Sequence, residues 1–283
     1  MSDFVEGSIQ TNGINLHFYR IDAPVKKSLL GRTRPTTTII LLHGVTDSGE
    51  CWKRTAQALC HDYNLVMPDS RGHGLSDAPE NGYGVEDRAA DVAGLIQALA
   101  IERPVLLGHS MGAETAIGTA ALFPQLLRGV ILEDPPWPGR FWGSTLEERA
   151  ERAAQWREDL LQQKSWTIQE LISDAHEQHP TWHKDELDPW AGAKQLVSPN
   201  ITNVVFAPRR RWSDYVRQAE CPILLITGDP EHGALVTSST AQEAALFWKN
   251  GRTVNIPNAG HNIHREQFEP FMHAVKEFLT HLG

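Results

Sequence analysis

Val105-Leu106-Leu107-Gly108-His109-Ser110-Met111-Gly112-Ala113-Glu114-Thr115-Ala116 joins an apolar run to an Ala-rich one through a serine bracketed by glycines. The short apolar run after Pro104 reads as a buried strand. A turn follows with glycine on either side of His109-Ser110-Met111, and the Ala-rich continuation reads as a helix. This is Gly-x-Ser-x-Gly in a strand–turn–helix setting. Two glycines let strand and helix approach closely and put the serine at the tip of a strained turn with its hydroxyl projecting. Ser110 is therefore a candidate nucleophile. The competing reading is a serine that only caps the helix that follows.

Outward from this stretch the same rhythm repeats. Thr38–Leu42 is a β-branched, fully apolar run, expected of an interior parallel strand, and ends in His43-Gly44-Val45-Thr46. Asn64–Met67 is a strand ending in Pro68-Asp69-Ser70-Arg71-Gly72-His73-Gly74-Leu75-Ser76. Residues 84–100 carry apolar side chains at helical spacing, and Gly129–Leu132 is a further strand closed by Glu133-Asp134-Pro135-Pro136. The strand pattern resumes at Pro222–Gly228 and again at Thr253–Ile256, and a final amphipathic helix carries Phe268, Phe271, Val275, Phe278 and Leu279. At the amino end, Asn12-Gly13 between two short strands is a hairpin signal. Strands alternating with helices imply a parallel sheet with helices on both faces.

Between about residues 135 and 219 the rhythm changes to Glu, Arg and Gln at helical spacing, with seven of the nine tryptophans. This reads as a helical insertion over the strand ends. The expected organisation is a core of residues 1–134 and 220–283 with a cap of residues 135–219.

The 283 residues are 41% hydrophobic and 22% charged, an ordinary soluble composition with ample core. A formal net charge of −9 argues against nucleic acid or an anionic membrane as the main partner. No apolar run reaches the length of a membrane span. Met1–Glu6 lacks a basic segment followed by an apolar one, so no signal peptide and a cytoplasmic location are expected. Cys51, Cys60 and Cys221 have no metal-like spacing and read as small buried residues.

A serine nucleophile needs a base, the base needs an orienting acid, and the developing oxyanion needs donors. In open parallel sheets such groups gather at the carboxyl ends of strands. His261, in the Gly-His turn before the last helix, is the candidate base, with His264 expected at the start of that helix. Backbone N–H groups of Met111 and Val45 are the candidate oxyanion donors.

Together, His43-Gly44, Asp69-x-Arg71-Gly72-His73-Gly74-x-Ser76, Gly-x-Ser-x-Gly and Gly260-His261 resemble the α/β-hydrolase family with a cap, over nearly the whole chain. The resemblance implies a mostly parallel eight-stranded sheet with helices on both faces and a helical cap. It implies no cofactor, and makes Arg71 and His73 mostly structural. Many members carry the acid after the next-to-last strand as Gly-x-x-Asp. Here that stretch is Gly228-Asp229-Pro230-Glu231, with glutamate at the aspartate's place and Asp229 two residues early. Asp134 stands where haloalkane-dehalogenase-like and zearalenone-lactonase-like members place a carboxylate. It is the leading candidate, Asp229 and Glu231 remain alternatives, and the competing reading of Asp134 is a helix cap before Pro135.

The expected function is hydrolysis of a small apolar carboxylic ester or lactone through an acyl-enzyme. Amide or C–C bond hydrolysis, or slow turnover by a lactone sensor, are the alternatives. Dehalogenation is disfavoured because it wants a carboxylate at position 110. Trp137, beginning the insertion, is a candidate pocket wall. Arg209-Arg210-Arg211 is either an anion-binding run or a solvated edge. His176, Glu177, His179 and His183 lack the zinc spacing and read as surface residues, with no metal expected.

Overall fold

The structure, a computed structural model, describes residues 4–24, 36–137, 144–208 and 210–282. Trp142 and Arg209 lie outside the described residues.

Alternating side chains explain why the sheet is buried from two sides. The strands are β1 (Val5–Thr11), β2 (Ile14–Ile21), β3 (Thr38–Leu42), β4 (Asn64–Pro68), β5 (Val105–His109), β6 (Gly129–Glu133), β7 (Ile223–Thr227) and β8 (Gly251–Asn255). Among the described residues they form one eight-stranded sheet in the order β1-β2-β4-β3-β5-β6-β7-β8. The hairpin β1–β2 turns through Asn12-Gly13, with φ of 45° and 79°, and joins β4 antiparallel. All other neighbours are parallel.

Ile40, Leu42, Leu106, Val130, Leu132 and Leu225 project to one face. There they meet α2 (Val85–Ala98), α3 (Met111–Leu122), α7 (Trp212–Gln218) and α8 (Ser238–Ala245). Ile39, Leu41, Val105, Leu107, Ile131 and Leu224 project to the other, against α1 (Lys53–Leu59), α9 (Ile263–Glu266) and α10 (Phe268–His281). Strands this apolar on both faces belong inside a doubly covered sheet.

Between β6 and β7 the described chain forms α4 (Leu146–Lys164), α5 (Ile168–Gln178), α6 (Lys184–Leu196), a 3-10 stretch over Pro199–Phe206, and α7. Thr145 and Thr167 open α4 and α5 with reciprocal capping boxes to Glu148 and Glu170. Pro180 follows the end of α5, as its missing N–H requires. Leu171, Ala175, Trp182, Leu187, Trp190 and Ala191 give α5 and α6 a small core of their own.

The strand order places β3 beside β5 while the chain leaves them in opposite directions, β3 toward β4 and β5 toward β6. Such a reversal opens a crevice at the carboxyl ends of the two strands. The loops after β3, β5 and β6 therefore converge.

Candidate active site

Three non-glycine residues with left-handed φ mark these strand ends: Thr46 at 66°, Ser110 at 51° and Asp134 at 40°. Each such residue costs about 1–3 kcal/mol and persists only where its surroundings over-determine it. At Ser110 the surroundings are visible. Its N–H donates to the Glu133 carbonyl at 2.9 Å, and its own carbonyl accepts from the Glu114 N–H at 3.0 Å. Any Cβ at Gly108 would lie 2.2 Å from the Gly112 carbonyl oxygen, and one at Gly112 only 2.0 Å from that of Leu42. Both glycines are thus demanded by backbone packing. The Ser110 side chain makes no capping bond to α3, so the capping alternative has no support.

β5 pairs with β6 so that His109 lies opposite Glu133, which sets Ser110 and Asp134 side by side. Asp134 is fully buried. Its Oδ1 accepts from the Val236 N–H at 2.9 Å and its Oδ2 from the Leu235 N–H at 2.8 Å. Oδ2 also lies 2.6 Å from Nδ1 of His261. A carboxylate there fixes the proton on Nδ1 and leaves Nε2 as the basic nitrogen. The His261 side chain is 28% exposed against none for Asp134, so one end of the imidazole is buried and the other open. His109, beside Ser110, donates from Nε2 to the His261 carbonyl at 3.0 Å, and the two rings lie 4.7 Å apart.

The two other candidate carboxylates go elsewhere. Asp229 accepts from the Asn258 N–H at 2.7 Å, and its own N–H donates to the Ala259 carbonyl at 2.7 Å. It shapes the loop that carries His261. Glu231 is exposed on a short 3-10 turn. Arg71 forms a buried ion pair with Asp91 at 2.6 Å. His73 donates from Nδ1 to the Arg71 carbonyl at 2.9 Å and accepts the Thr46 N–H on Nε2 at 3.3 Å.

The oxyanion candidates stand at two of the converging loops. Met111 is the first residue of α3, where a helix leaves its N–H groups without intrahelical acceptors. Val45 is exposed in the turn after β3, closed by the Asp47 N–H on the Gly44 carbonyl at 3.2 Å. Trp137 is 1% exposed and stacks on Trp212 at 4.7 Å, a core position rather than an open wall. Cys51 and Cys221 are buried, whereas Cys60 is half-buried. His179 is half-buried, stacked on Trp182 at 4.2 Å. A cleft of about 540 Å³, lined by Arg54, Trp182, Lys184 and Phe268, does not include Ser110 or His261.

Two clusters escaped sequence reasoning. Glu133 and His264 are both buried, with His264 Nδ1 donating to the carboxylate at 2.8 Å. Burial pushes the Glu133 carboxyl up to about 7 and, with Arg265 beside it, holds the His264 imidazole down at about 3. The second cluster joins Asp47 to Lys194 of α6 at 3.3 Å and to Arg265 of α9 at 2.9 Å. Burial pushes the Asp47 carboxyl up, but Arg265 and Lys194 outweigh it and hold the group far below the usual range. The place of Glu133 next to Asp134, and of His264 three residues after His261, is a sequence signal for the first cluster alone.

The alpha/beta hydrolase family model matches residues 39–274. Among characterised proteins, the chain is 27% identical to 2-(acetamidomethylene)succinate hydrolase of Mesorhizobium japonicum, over 85% of this chain and 87% of that one. It is also 27% identical to N-formylmaleamate deformylase of Pseudomonas putida, over 99% of each. Among solved structures, an E-2-(acetamidomethylene)succinate hydrolase superposes with a TM-score of 0.79 at 22% identity, covering 98% of this chain and all of that one. The enol-lactonase of Burkholderia xenovorans LB400 gives 0.73 at 23%, covering 97% and 100%. At those identities the structural likeness bears on the fold. The family match over most of its length, the eight-stranded sheet and the serine turn after β5 together make this chain a member of the α/β-hydrolase family.

Proposed function

We propose that the protein is a serine hydrolase of small carboxylic esters or lactones, working through an acyl-enzyme with no cofactor. The observation that carries the reading is the 2.6 Å contact between Asp134 Oδ2 and His261 Nδ1, at the strand end whose Glu133 carbonyl accepts the N–H of the strained Ser110. Ser110 Oγ attacks the acyl carbon while its proton passes to His261 Nε2. Asp134 holds the imidazole's tautomer and stabilises the imidazolium. The N–H groups of Val45 and Met111 receive the oxyanion, each such donor contributing about 3 kcal/mol to the transition state. Collapse expels the alkoxide, which takes the proton from His261. Water then repeats the sequence and releases the acid and free Ser110.

The same residues perform amide hydrolysis, and a second reading follows from the relatives. Both the 2-(acetamidomethylene)succinate hydrolase and the N-formylmaleamate deformylase have names that denote N-acyl compounds of short dicarboxylic acids. The net charge of −9 works against a nucleic acid or anionic membrane partner, and the working location proposed is the cytoplasm. Among the described residues, no helix is long and apolar enough to cross a membrane.

The test is a steady-state panel of short-chain p-nitrophenyl esters, five- and six-membered lactones, and N-formyl and N-acetyl amides. The ester reading predicts multiple turnovers with kcat/KM on esters or lactones at least tenfold above the best amide. Turnover confined to amides would transfer the assignment to the second reading. A single slow turnover on every lactone would favour a sensor.

A further inference from the structure

Lys194 lies on α6, far in sequence from the converging loops, yet its ammonium is buried against one of them. It donates to the Thr46 carbonyl at 2.9 Å, to the Thr46 hydroxyl at 2.7 Å and to Asp47 Oδ1 at 3.3 Å. All three hydrogen bonds go to one turn, the turn that carries the Val45 N–H. Thr46 needs such a hold, because a β-branched residue at φ 66° is strained. Its N–H is held independently by His73 at 3.3 Å. The other oxygen of Asp47 takes Arg265, four residues after His261, and Arg265 also donates to Asn262 at 3.1 Å. A single carboxylate therefore ties together the helical insertion, the turn after β3 and the loop of the candidate base.

We infer that Lys194 is a positioning residue that holds the Val45 N–H where the oxyanion forms, so that the seating of α6 and the completeness of the oxyanion site are one event. The inference rests on the reading of Ser110 as nucleophile. Nothing in the geometry has Lys194 touching substrate: its three donors are spent on Thr46 and Asp47. Its removal acts through Thr46, which loses its carbonyl and hydroxyl partners together. The effect falls on the transition state, where the oxyanion exists, more than on substrate binding.

The experiment compares wild type, Lys194→Met and Glu186→Gln. Glu186 belongs to the same ionic cluster, 3.7 Å from both Arg54 and Arg265, but is not among the partners of Thr46. Reactive sites are first counted by fluorophosphonate labelling and intact mass. Then kcat, KM and the inhibition constant of phenylboronic acid, which forms a tetrahedral adduct with an activated serine, are measured per labelled site. Lys194→Met is expected to lower kcat roughly 10- to 100-fold with KM changed less than threefold, a part of the roughly 10²–10³ that losing a whole oxyanion donor costs. The boronate constant should rise in step, while Glu186→Gln keeps kcat and the boronate constant at wild-type values. Thr46→Ala keeps every buried charge and loses one hydrogen bond, so it gives the same pattern at smaller size if Lys194→Met does not fold. Unchanged kcat and boronate constant per labelled site in both variants would overturn the inference. A wild type that takes no label would instead overturn the nucleophile reading on which it stands.

Discussion

Two histidine–carboxylate pairs lie back to back at the carboxyl end of β6, built from adjacent carboxylates and from histidines three residues apart. Glu133 and His264 are sealed in the core, whereas Asp134 is sealed and His261 keeps one edge open. The difference comes from strand geometry. Successive residues of a strand point to opposite faces, so Glu133 turns inward beneath α9, and Asp134, at φ 40°, breaks the alternation at the strand end. The Glu133–His264 pair ties β6 to α9, and Trp52 packs on the His264 ring at 4.5 Å. The Asp134–His261 pair has the carboxylate fixed by two backbone donors and the imidazole partly exposed. The same two residue types thus give a clasp where both members are buried, and the candidate base where the histidine keeps one edge exposed.

Breaking the second pair should have the largest consequence for activity. Asp134→Asn is expected to lower kcat by about 10⁴, because an amide cannot hold the tautomer or offset the imidazolium. Its fold should persist, and kcat on the best substrate checks this. Activity within tenfold of wild type would move the orienting role to another carboxylate. Breaking the first pair should instead register in stability. His264→Asn is expected to cost roughly 1–3 kcal/mol in urea unfolding by removing the Nδ1 donor of a buried carboxyl group that the main-chain N–H of residue 264 still reaches, with kcat per labelled site within tenfold of wild type. A kcat loss as deep as that of Asp134→Asn would erase the distinction between the pairs.

Acid sharpens the comparison further. Burial holds the imidazoles of His73, His109 and His264 near 3, against 6.5 for an unperturbed group. From pH 6.5 downward the unfolded chain takes up protons that the folded one refuses. The stability these groups contribute is complete above 6.5 and drains as pH falls. Glu133 opposes them, since its carboxyl is raised from 4.5 to about 7 and its contribution is complete below 4.5. The histidines outnumber it, so urea midpoints should fall between pH 6.5 and 4.5 with a slope of at least one proton, about 1.4 kcal/mol per pH unit. A midpoint that rises across that window would contradict the burial of these rings. The smallest effect belongs to Asp229. Asp229→Asn, which disturbs only the loop around His261, should cost less than about tenfold in kcat, a change of some 1.4 kcal/mol in the barrier.

The strands and the serine turn were legible because their signals are local. Ile39 to Leu42, Val105 to Leu107 and Ile223 to Ile226 are apolar without interruption, and glycines at 108 and 112 bracket the serine within five residues. Asp134, Asp229 and Glu231 have no local signal that separates them, because each lies acceptably at a strand end. The contact that separates them spans 127 residues and depends on the pairing of β6 with β5 and β7. Lys194 was illegible for a related reason. Lys184–Leu196 reads as a mixed polar helix, and nothing in it distinguishes an ammonium buried on Thr46 from one in water. Trp137 shows the converse limit, since its place beside the strand ends suggested a pocket wall and the fold stacks it on Trp212.

The proposed chemistry requires Ser110 to be an activated nucleophile. Intact-mass analysis of the full chain after incubation with a fluorophosphonate, run beside Ser110→Ala, tests it most directly. One covalent adduct is expected on the wild type and none on the variant. Folded protein that stays unlabelled, or that labels equally with alanine at position 110, would contradict it.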